Sequence, residues 1–210
     1  MQLVQRADVT GADADALWTL YSRAFGRRRR NRPGSPTPIP RDRFDVVMQD
    51  LRITKFLVVD PLAGRSVAAF AALGPALGPP GCPAHGPATA APGGSCDHGT
   101  CCRGAPDPRQ LLERWPEHLE QGRVWHLGLL AVDPDYRGTS TAVHLVTGVW
   151  ATAAACGGVI TVDLDAVHEV WVHLPTTLYE LARTFSPGTR LRSLPGGSCW
   201  AYEFPAPLPA

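Results

Sequence analysis

Residues 129–142, with the sequence LLAVDPDYRGTSTA, form the most informative stretch of this 210-residue chain. The apolar run that ends at Val132 predicts a central strand, and Asp-Pro-Asp at 133–135 ends it. A tight turn follows, and then the start of a helix. The first N–H groups of a helix have no intrahelical partner, so together with the helix dipole they form a ready site for an anion. Because the turn residues are small, a pyrophosphate can approach closely, and the stretch therefore predicts phosphate binding.

Outward from this stretch, hydrophobic periodicity and turn residues predict alternating strands and helices. The predicted strands cover 2–8, Ile53–Asp60, Ser66–Leu73, Val124–Val132, Val159–Leu164, Leu191–Leu194 and Cys199–Phe204. The predicted helices are one opened by Thr10 and four over 41–51, 108–120, 139–156 and 176–185. This order predicts an α/β fold.

Residues 74–108 interrupt this order, since they are mostly Gly, Pro, Ala, Cys and His without usable periodicity. We interpret them as an insertion in a single domain that spans 1–210. Thiolate and imidazole are the preferred ligands of zinc, and a structural zinc site needs four of them. The insertion contains six candidate ligands, Cys82, His85, Cys96, His98, Cys101 and Cys102. The insertion is therefore either organised by zinc or a loop with incidental cysteines.

The charge balance excludes some classes of partner. With 20 basic and 19 acidic side chains the net charge is +1, so no global field favours nucleic acid or an anionic membrane. No apolar run is long enough to span a bilayer, and the first fifteen residues lack the apolar core of a signal peptide. We therefore expect a cytoplasmic protein whose cysteines are reduced thiols or metal ligands.

The segment 137–142 resembles motif A of the Gcn5-related N-acetyltransferase (GNAT) superfamily. That motif is written Q/R-x-x-G-x-G/A and follows a strand that ends in a V-D-P-x-Y-like phrase. Arg137 matches the first position and Ala142 the last, whereas Ser140 stands where the middle glycine is usual. The resemblance implies a mixed central β-sheet flanked by helices. It also implies transfer of an acyl group from acetyl-CoA, or another acyl-CoA, to an amine of a small molecule or peptide.

The resemblance also implies roles for individual residues. Leu130 and Val132 would offer backbone groups to the pantetheine arm, and the Leu130 N–H would polarise the thioester carbonyl. The pyrophosphate would be held by the backbone amides of Arg137, Gly138, Thr139, Ser140, Thr141 and Ala142.

Two residues are candidates for proton transfer. His126 lies six residues before Val132, about where family members with a catalytic glutamate carry it, so it could act as general base, directly or through water. The alternative is a core histidine bonded to nearby backbone. Tyr179, in the phrase TLYEL, resembles the family's tyrosine that protonates the departing thiolate. Its alternative is a half-buried aromatic with a surface hydroxyl.

Other features leave the function open. Weaker candidates for the acceptor side are Glu117, Glu120, Trp125, Asp163, Asp165, His168 and Trp171. The arginines at 27–30 and 32 are a solvated helix end, a contact to coenzyme A or a dock for an acyl-carrier protein; they lack the interleaved aromatics of a nucleic-acid site. With Ser140 they keep a second hypothesis open, an N-acyl amino acid synthase-like enzyme with a long-chain or carrier-bound donor. A catalytically lapsed GNAT-like binding module is the third.

Overall fold

The computed structural model describes residues 1–26, 39–64, 66–77, 106–164, 173–195 and 199–206. Within these residues, seven strands form one mixed sheet in the order β1-β2-β3-β4-β5-β7-β6. The strands are β1 Gln2–Arg6, β2 Thr54–Asp60, β3 Ser66–Pro75, β4 Val124–Val132, β5 Gly158–Asp163, β6 Arg190–Ser193 and β7 Cys199–Phe204. Only β4 and β5 pair in parallel; the other neighbours are antiparallel. The predicted mixed sheet is confirmed.

Helices cover both faces of the sheet. They are α1 Gly11–Gly26, α2 Arg41–Gln49, α3 Pro108–Arg114, α4 Pro116–Glu120, α5 Thr141–Cys156 and α6 Leu174–Phe185. Side chains alternate along each strand, so Phe56 and Val58 pack on the α5–α6 side while Leu57 packs against α1 and α2. On that second face α3 and α4 cover Val124 and Val159. None of the helices in the described ranges is long and apolar enough to cross a membrane.

The main correction to the predicted elements concerns 108–120. This segment is two short helices that meet at Trp115, whose backbone leaves the helical region (φ −139°, ψ 51°). Pro116 is the cause, because proline disfavours a helical conformation in the residue before it and has no N–H to continue the ladder. The predicted bounds of β4 are confirmed at both ends. β3 extends to Pro75, into the first residues of the predicted insertion.

A single lysine ties the first helices to the edge of the sheet. Lys55 is the only lysine in the chain, and its side chain is fully buried. Its Nζ donates to the carbonyl oxygens of Ala7 and Asp50, at 2.5 and 2.6 Å. Burial lowers the pKa of Lys55, and the carboxylates of Asp50 and Asp8 oppose that shift. The ammonium group therefore joins the segment after β1 to the segment after α2.

Two glycines allow α5 to end against the start of β5. Gly157 has a φ of +64°, and a Cβ there would lie 2.6 Å from the Cα of Ala206. A Cβ at Gly158 would lie 2.4 Å from the carbonyl oxygen of Arg123. Only glycine permits such close backbone approach, so these two positions fix where α5 sits relative to β4 and β5.

We expect Gly157→Ala to lower the free energy of unfolding by about 2–5 kcal/mol, from left-handed strain plus a backbone clash. Gly122→Ala is the matched control, since Gly122 has a φ of +65° but nothing within 4 Å of its Cβ position. That control should lose only about 1–2 kcal/mol. Urea unfolding followed by tryptophan fluorescence measures both, and equal losses would contradict the close approach.

Candidate functional site

The pairing between β4 and β5 covers only the first part of β4. Their parallel pairing runs from Val124 opposite Val159 to Leu127 opposite Val162. β4 continues through residues 128–132, which pair with β3 on the other side. Among the described residues, no strand pairs with the β5-facing edge of 128–132. This part of β4 therefore has an open backbone edge, which we call the open edge.

A β-bulge sets the direction of the backbone groups along the open edge. Leu73 lies opposite Leu127, and Ala72 lies opposite Leu129, so Gly128 is one extra residue in β4. An extra residue reverses which alternate residues point to the partner strand. The backbone groups beyond Gly128 therefore point the opposite way from those that an uninterrupted strand would present.

The hydrogen bonds beyond the bulge identify which residues face outward. Asp133 donates its N–H to the carbonyl of Ala68, at 2.9 Å. Because alternate residues of an antiparallel ladder bond to the partner strand, Ala131 also faces β3. The N–H and C=O groups of Leu130 and Val132 consequently face the open edge, and the Leu130 side chain is 37% exposed. These are the two residues predicted to offer backbone groups to a ligand.

The N-terminus of α5 has two backbone N–H groups without an acceptor in the described part of the chain. Ser140 is the N-cap residue, but its side chain makes no capping hydrogen bond. The Oγ1 atom of Thr139 accepts the N–H of Thr141 at 3.3 Å, and the Ser140 carbonyl accepts the first intrahelical bond. The N–H groups of Ala142 and Val143 have no acceptor within the described part of the chain. Both residues are exposed, so their N–H groups are accessible to an anion.

The six amides predicted to hold a pyrophosphate are not equivalent. Those of Arg137 and Thr139 donate to carbonyl groups of the turn, each at 3.3 Å, and that of Thr141 donates to a side chain. The amide of Val143 was not among the six, because the motif ends at position 142. The Val143 amide becomes a candidate because it lies in the exposed first turn of α5.

The turn before α5 is held by the end of α1. Arg23 donates to Asp133 through Nη1 and to Asp135 through Nη2, both at 2.8 Å. Asp133 is buried, and Asp135 and Asp133 together hold the pKa of the Arg23 guanidinium above its usual value. Arg137 donates from Nη2 to the carbonyl of Ala24 at 2.9 Å. The end of α1 and this turn therefore form one hydrogen-bonded unit, for which the sequence contains no local signal.

A second contact holds the turn from the side of the β2–β3 hairpin. The hydroxyl of Tyr136 donates to the Oδ2 atom of Asp60 at 2.9 Å. That bond, followed by the N–H of Leu62, lowers the pKa of the Asp60 carboxyl. The turn is thus anchored both to α1 and to the end of β2 before α5 begins.

His126 lies on the face of the sheet opposite α5. Its Nδ1 atom is 3.0 Å from Oγ1 of Thr161, and that hydroxyl donates to the carbonyl of Trp125 at 3.1 Å. Along β4, His126 stands between Val124, which packs under α3 and α4, and Leu129, which packs under α1 and α2. The half-buried imidazole is therefore placed between two groups of helices.

Tyr179 lies on the other face. It is half-buried in α6 against the core beneath α5, to which Val132 also packs. The guanidinium of Arg183 lies 5.7 Å from its ring centroid. The predicted acid and base are therefore on opposite faces of the sheet.

Several other predicted residues lie outside the described ranges. They are the six zinc candidates at 82–102, the arginines at 27–32, and Asp165, His168 and Trp171. Within the described ranges no group of three or more His, Cys, Asp or Glu side chains could hold a metal ion, and the zinc prediction gains no support from the structure. Glu117 and Glu120 are exposed on α4, and Trp125 packs on the α5 side.

Solved structures of N-acetyltransferases match the whole chain. Aminoglycoside 6'-N-acetyltransferase complexed with coenzyme A is 13% identical, with 100% of both chains covered and a TM-score of 0.52. Histone acetyltransferase HPA2 and related acetyltransferase from Corynebacterium glutamicum ATCC 13032 is 16% identical, with 100% of this chain and 99% of that chain covered and a TM-score of 0.52. The chain has the GNAT fold.

At these identities the likeness establishes the fold alone. No protein-family model matches the sequence, and the search of curated proteins gives no match either. The resemblance drawn from 137–142 is confirmed at the level of the GNAT fold, because that segment is the turn and helix start that follow β4.

We expect Arg23→Ala to lower the melting temperature by about 3–6 °C, because it leaves the buried carboxylate of Asp133 without its cation. Adding Asp133→Asn to that variant should restore part of the loss. Arg6→Ala is the control, since the Arg6–Asp13 pair is exposed and 3.6 Å long, and it should shift the melting temperature by no more than about 1 °C. Thermal unfolding followed by circular dichroism measures both variants. Similar changes in melting temperature for the two arginines would argue against a stabilising role for the Arg23–Asp133 pair.

Proposed function

We propose that this protein is an acyl-CoA-dependent N-acyltransferase, with acetyl as the first acyl group to test. The acceptor would be an amine of a small molecule or peptide. One observation carries the proposal: the open edge of β4 is followed, after one turn, by the exposed first turn of α5 within a GNAT fold. An extended thioester arm that ends in a pyrophosphate is complementary to both features.

The donor would lie along β4. An extended pantetheine arm carries amide groups, and the backbone groups of Leu130 and Val132 at the open edge supply the complementary donors and acceptors. The pyrophosphate would then reach the N–H groups of Ala142 and Val143, where the helix dipole also favours negative charge. The aminoglycoside acetyltransferase of the same fold is complexed with coenzyme A, which supports this choice of donor.

The reaction would proceed by direct attack. The amine nitrogen bonds to the thioester carbon while the carbonyl oxygen gains negative charge, which the Leu130 N–H would stabilise. His126, directly or through water, would remove the proton from the amine. The C–S bond then breaks, and Tyr179 would protonate the departing thiolate. The positions of His126 and Tyr179 on opposite faces of the sheet support the entry of acceptor and donor from opposite sides.

Direct transfer is also supported by one of the two cysteines that the structure describes. Burial, followed by the charge of Asp163, raises the pKa of the Cys199 thiol to about 12, and a protonated thiol is a poor nucleophile. Cys156 is exposed and ends α5, about 20 Å along the helix from Ala142 and Val143. The Cys199 thiol is therefore not suited to carry the acyl group.

Isothermal titration of the pure protein with acetyl-CoA tests the donor site. We expect binding by the wild type and at least about tenfold weaker binding by Ala142→Asp, which places a carboxylate where the pyrophosphate would sit. The same substitution should raise helix stability by about 0.3–1 kcal/mol, because an anion suits a helix N-terminus. Opposite effects on binding and stability distinguish loss of the site from loss of the fold.

Ala151→Asp is the matched control. Ala151 is exposed on the same helix, about 14 Å from Ala142 along its axis, so this variant should bind acetyl-CoA like the wild type. Equal binding by both variants would contradict the proposed pyrophosphate site. Binding of a long-chain acyl-CoA alone would redirect the proposal to an N-acyl synthase.

Alkylation tests the reactivity of the two described cysteines, and incubation with acetyl-CoA tests whether either forms an acyl-enzyme. With iodoacetamide near pH 8, we expect modification of Cys156 in the folded protein and of Cys199 only after unfolding, because the thiolate fraction at Cys199 is very small. Peptide mass spectrometry reads both sites. An acetyl thioester on either cysteine after incubation with acetyl-CoA would overturn direct transfer.

A further inference from the structure

His126 and Thr161 lie opposite each other on the parallel strands β4 and β5, and their side chains are hydrogen-bonded. Thr161 is fully buried, and its hydroxyl also contacts the Trp125 carbonyl. We propose that Thr161 is a positioning residue that fixes the neutral imidazole of His126 in the tautomer with the proton on Nδ1.

The hydroxyl of Thr161 has only one proton to donate. Its Oγ1 atom lies 3.1 Å from the carbonyl oxygen of Trp125, which can only accept a hydrogen bond. When the hydroxyl proton is directed to that carbonyl, Oγ1 can only accept a hydrogen bond in its contact with His126. The Nδ1 atom of His126, 3.0 Å away, must then supply the proton.

The reverse arrangement is unfavourable. If the hydroxyl donated to Nδ1 of His126, the oxygen atoms of Thr161 and Trp125 would face each other at 3.1 Å without a proton between them. Their partial negative charges repel, and a buried site lacks the water that would weaken this repulsion. The carbonyl of Trp125 therefore sets the hydroxyl direction, and the hydroxyl sets the imidazole tautomer.

The tautomer identifies the reactive nitrogen. A neutral imidazole with its proton on Nδ1 carries its lone pair on Nε2. Given the proposed function, Nε2 is the atom that takes the proton from the amine as the new C–N bond forms. The resulting imidazolium keeps its Nδ1–H bond to Thr161, so the pair needs no rearrangement during the reaction.

The tautomer can be measured without turnover. Two-bond correlations between the ring carbon-bound protons and ¹⁵N distinguish the two neutral imidazole forms in the full-length protein at alkaline pH. The chain has seven histidines, and His126→Gln assigns the signal of His126 by its disappearance. We expect the proton on Nδ1; a proton on Nε2 in the wild type would overturn the proposal.

Two substitutions at Thr161 separate the effect of its hydroxyl from the effect of its side-chain shape. Thr161→Val removes the hydroxyl and keeps the branched side chain, so the signal of His126 should change to a mixture of tautomers. Thr161→Ser keeps the hydroxyl and should retain the wild-type signal. A wild-type signal in Thr161→Val would overturn the assignment, and the wild-type measurement decides the tautomer even if that variant does not fold.

Steady-state kinetics with acetyl-CoA and a turned-over amine give the second readout. We expect Thr161→Val to lower kcat about tenfold with KM for acetyl-CoA unchanged, and Thr161→Ser to recover most of that loss. A higher KM for acetyl-CoA with an unchanged kcat would contradict a positioning role. If no amine is acylated and acetyl-CoA does not bind, the proposed function fails, whereas the tautomer stands or falls on the spectra alone.

Discussion

One extra residue in β4 determines which backbone groups are available to a ligand. If Gly128 were a regular member of the ladder instead of an extra residue, the alternation would direct Leu130 and Val132 to β3 and turn their neighbours outward. The bulge would create no site if β5 continued beside β4, because its own backbone would then occupy the exposed groups. The site therefore requires two features together, a bulge on one side of β4 and, among the described residues, the end of the pairing with β5 on the other.

The remainder of the site is arranged around that open edge. The turn after β4 is clamped by Arg23 on α1 and by Asp60 at the end of β2, so the first turn of α5 has a fixed position relative to the strand. Gly157 and Gly158 fix the other end of the helix against β5. Because α1 holds this turn, a ligand that moves the end of α1 would also move the first turn of α5.

The sequence predicted those parts of the molecule that depend on local patterns. The strand Val124–Val132 could be bounded because an apolar run meets a proline turn, and the helix start after it because small residues follow. Pro116 was also visible, and its effect on the preceding residue could have divided the predicted helix at 108–120. The bulge at Gly128 has no such signal, since one glycine in a strand fits several roles. Arg23 and Asp133 are 110 residues apart, so only the tertiary fold brings them together. For the same reason, the pairing of His126 with Thr161 could not be read from the chain.

The burial of Lys55 has a consequence for the chemistry of the whole surface. The other 19 of the 20 Lys and Arg side chains are arginines, and a guanidinium stays protonated and does not act as a nucleophile at physiological pH. The folded chain therefore carries its positive charge without exposing a lysine to thioesters, succinimidyl esters or aldehydes. A protein that works beside reactive acyl donors would gain from this composition, since its own side chains offer those donors no accessible primary amine.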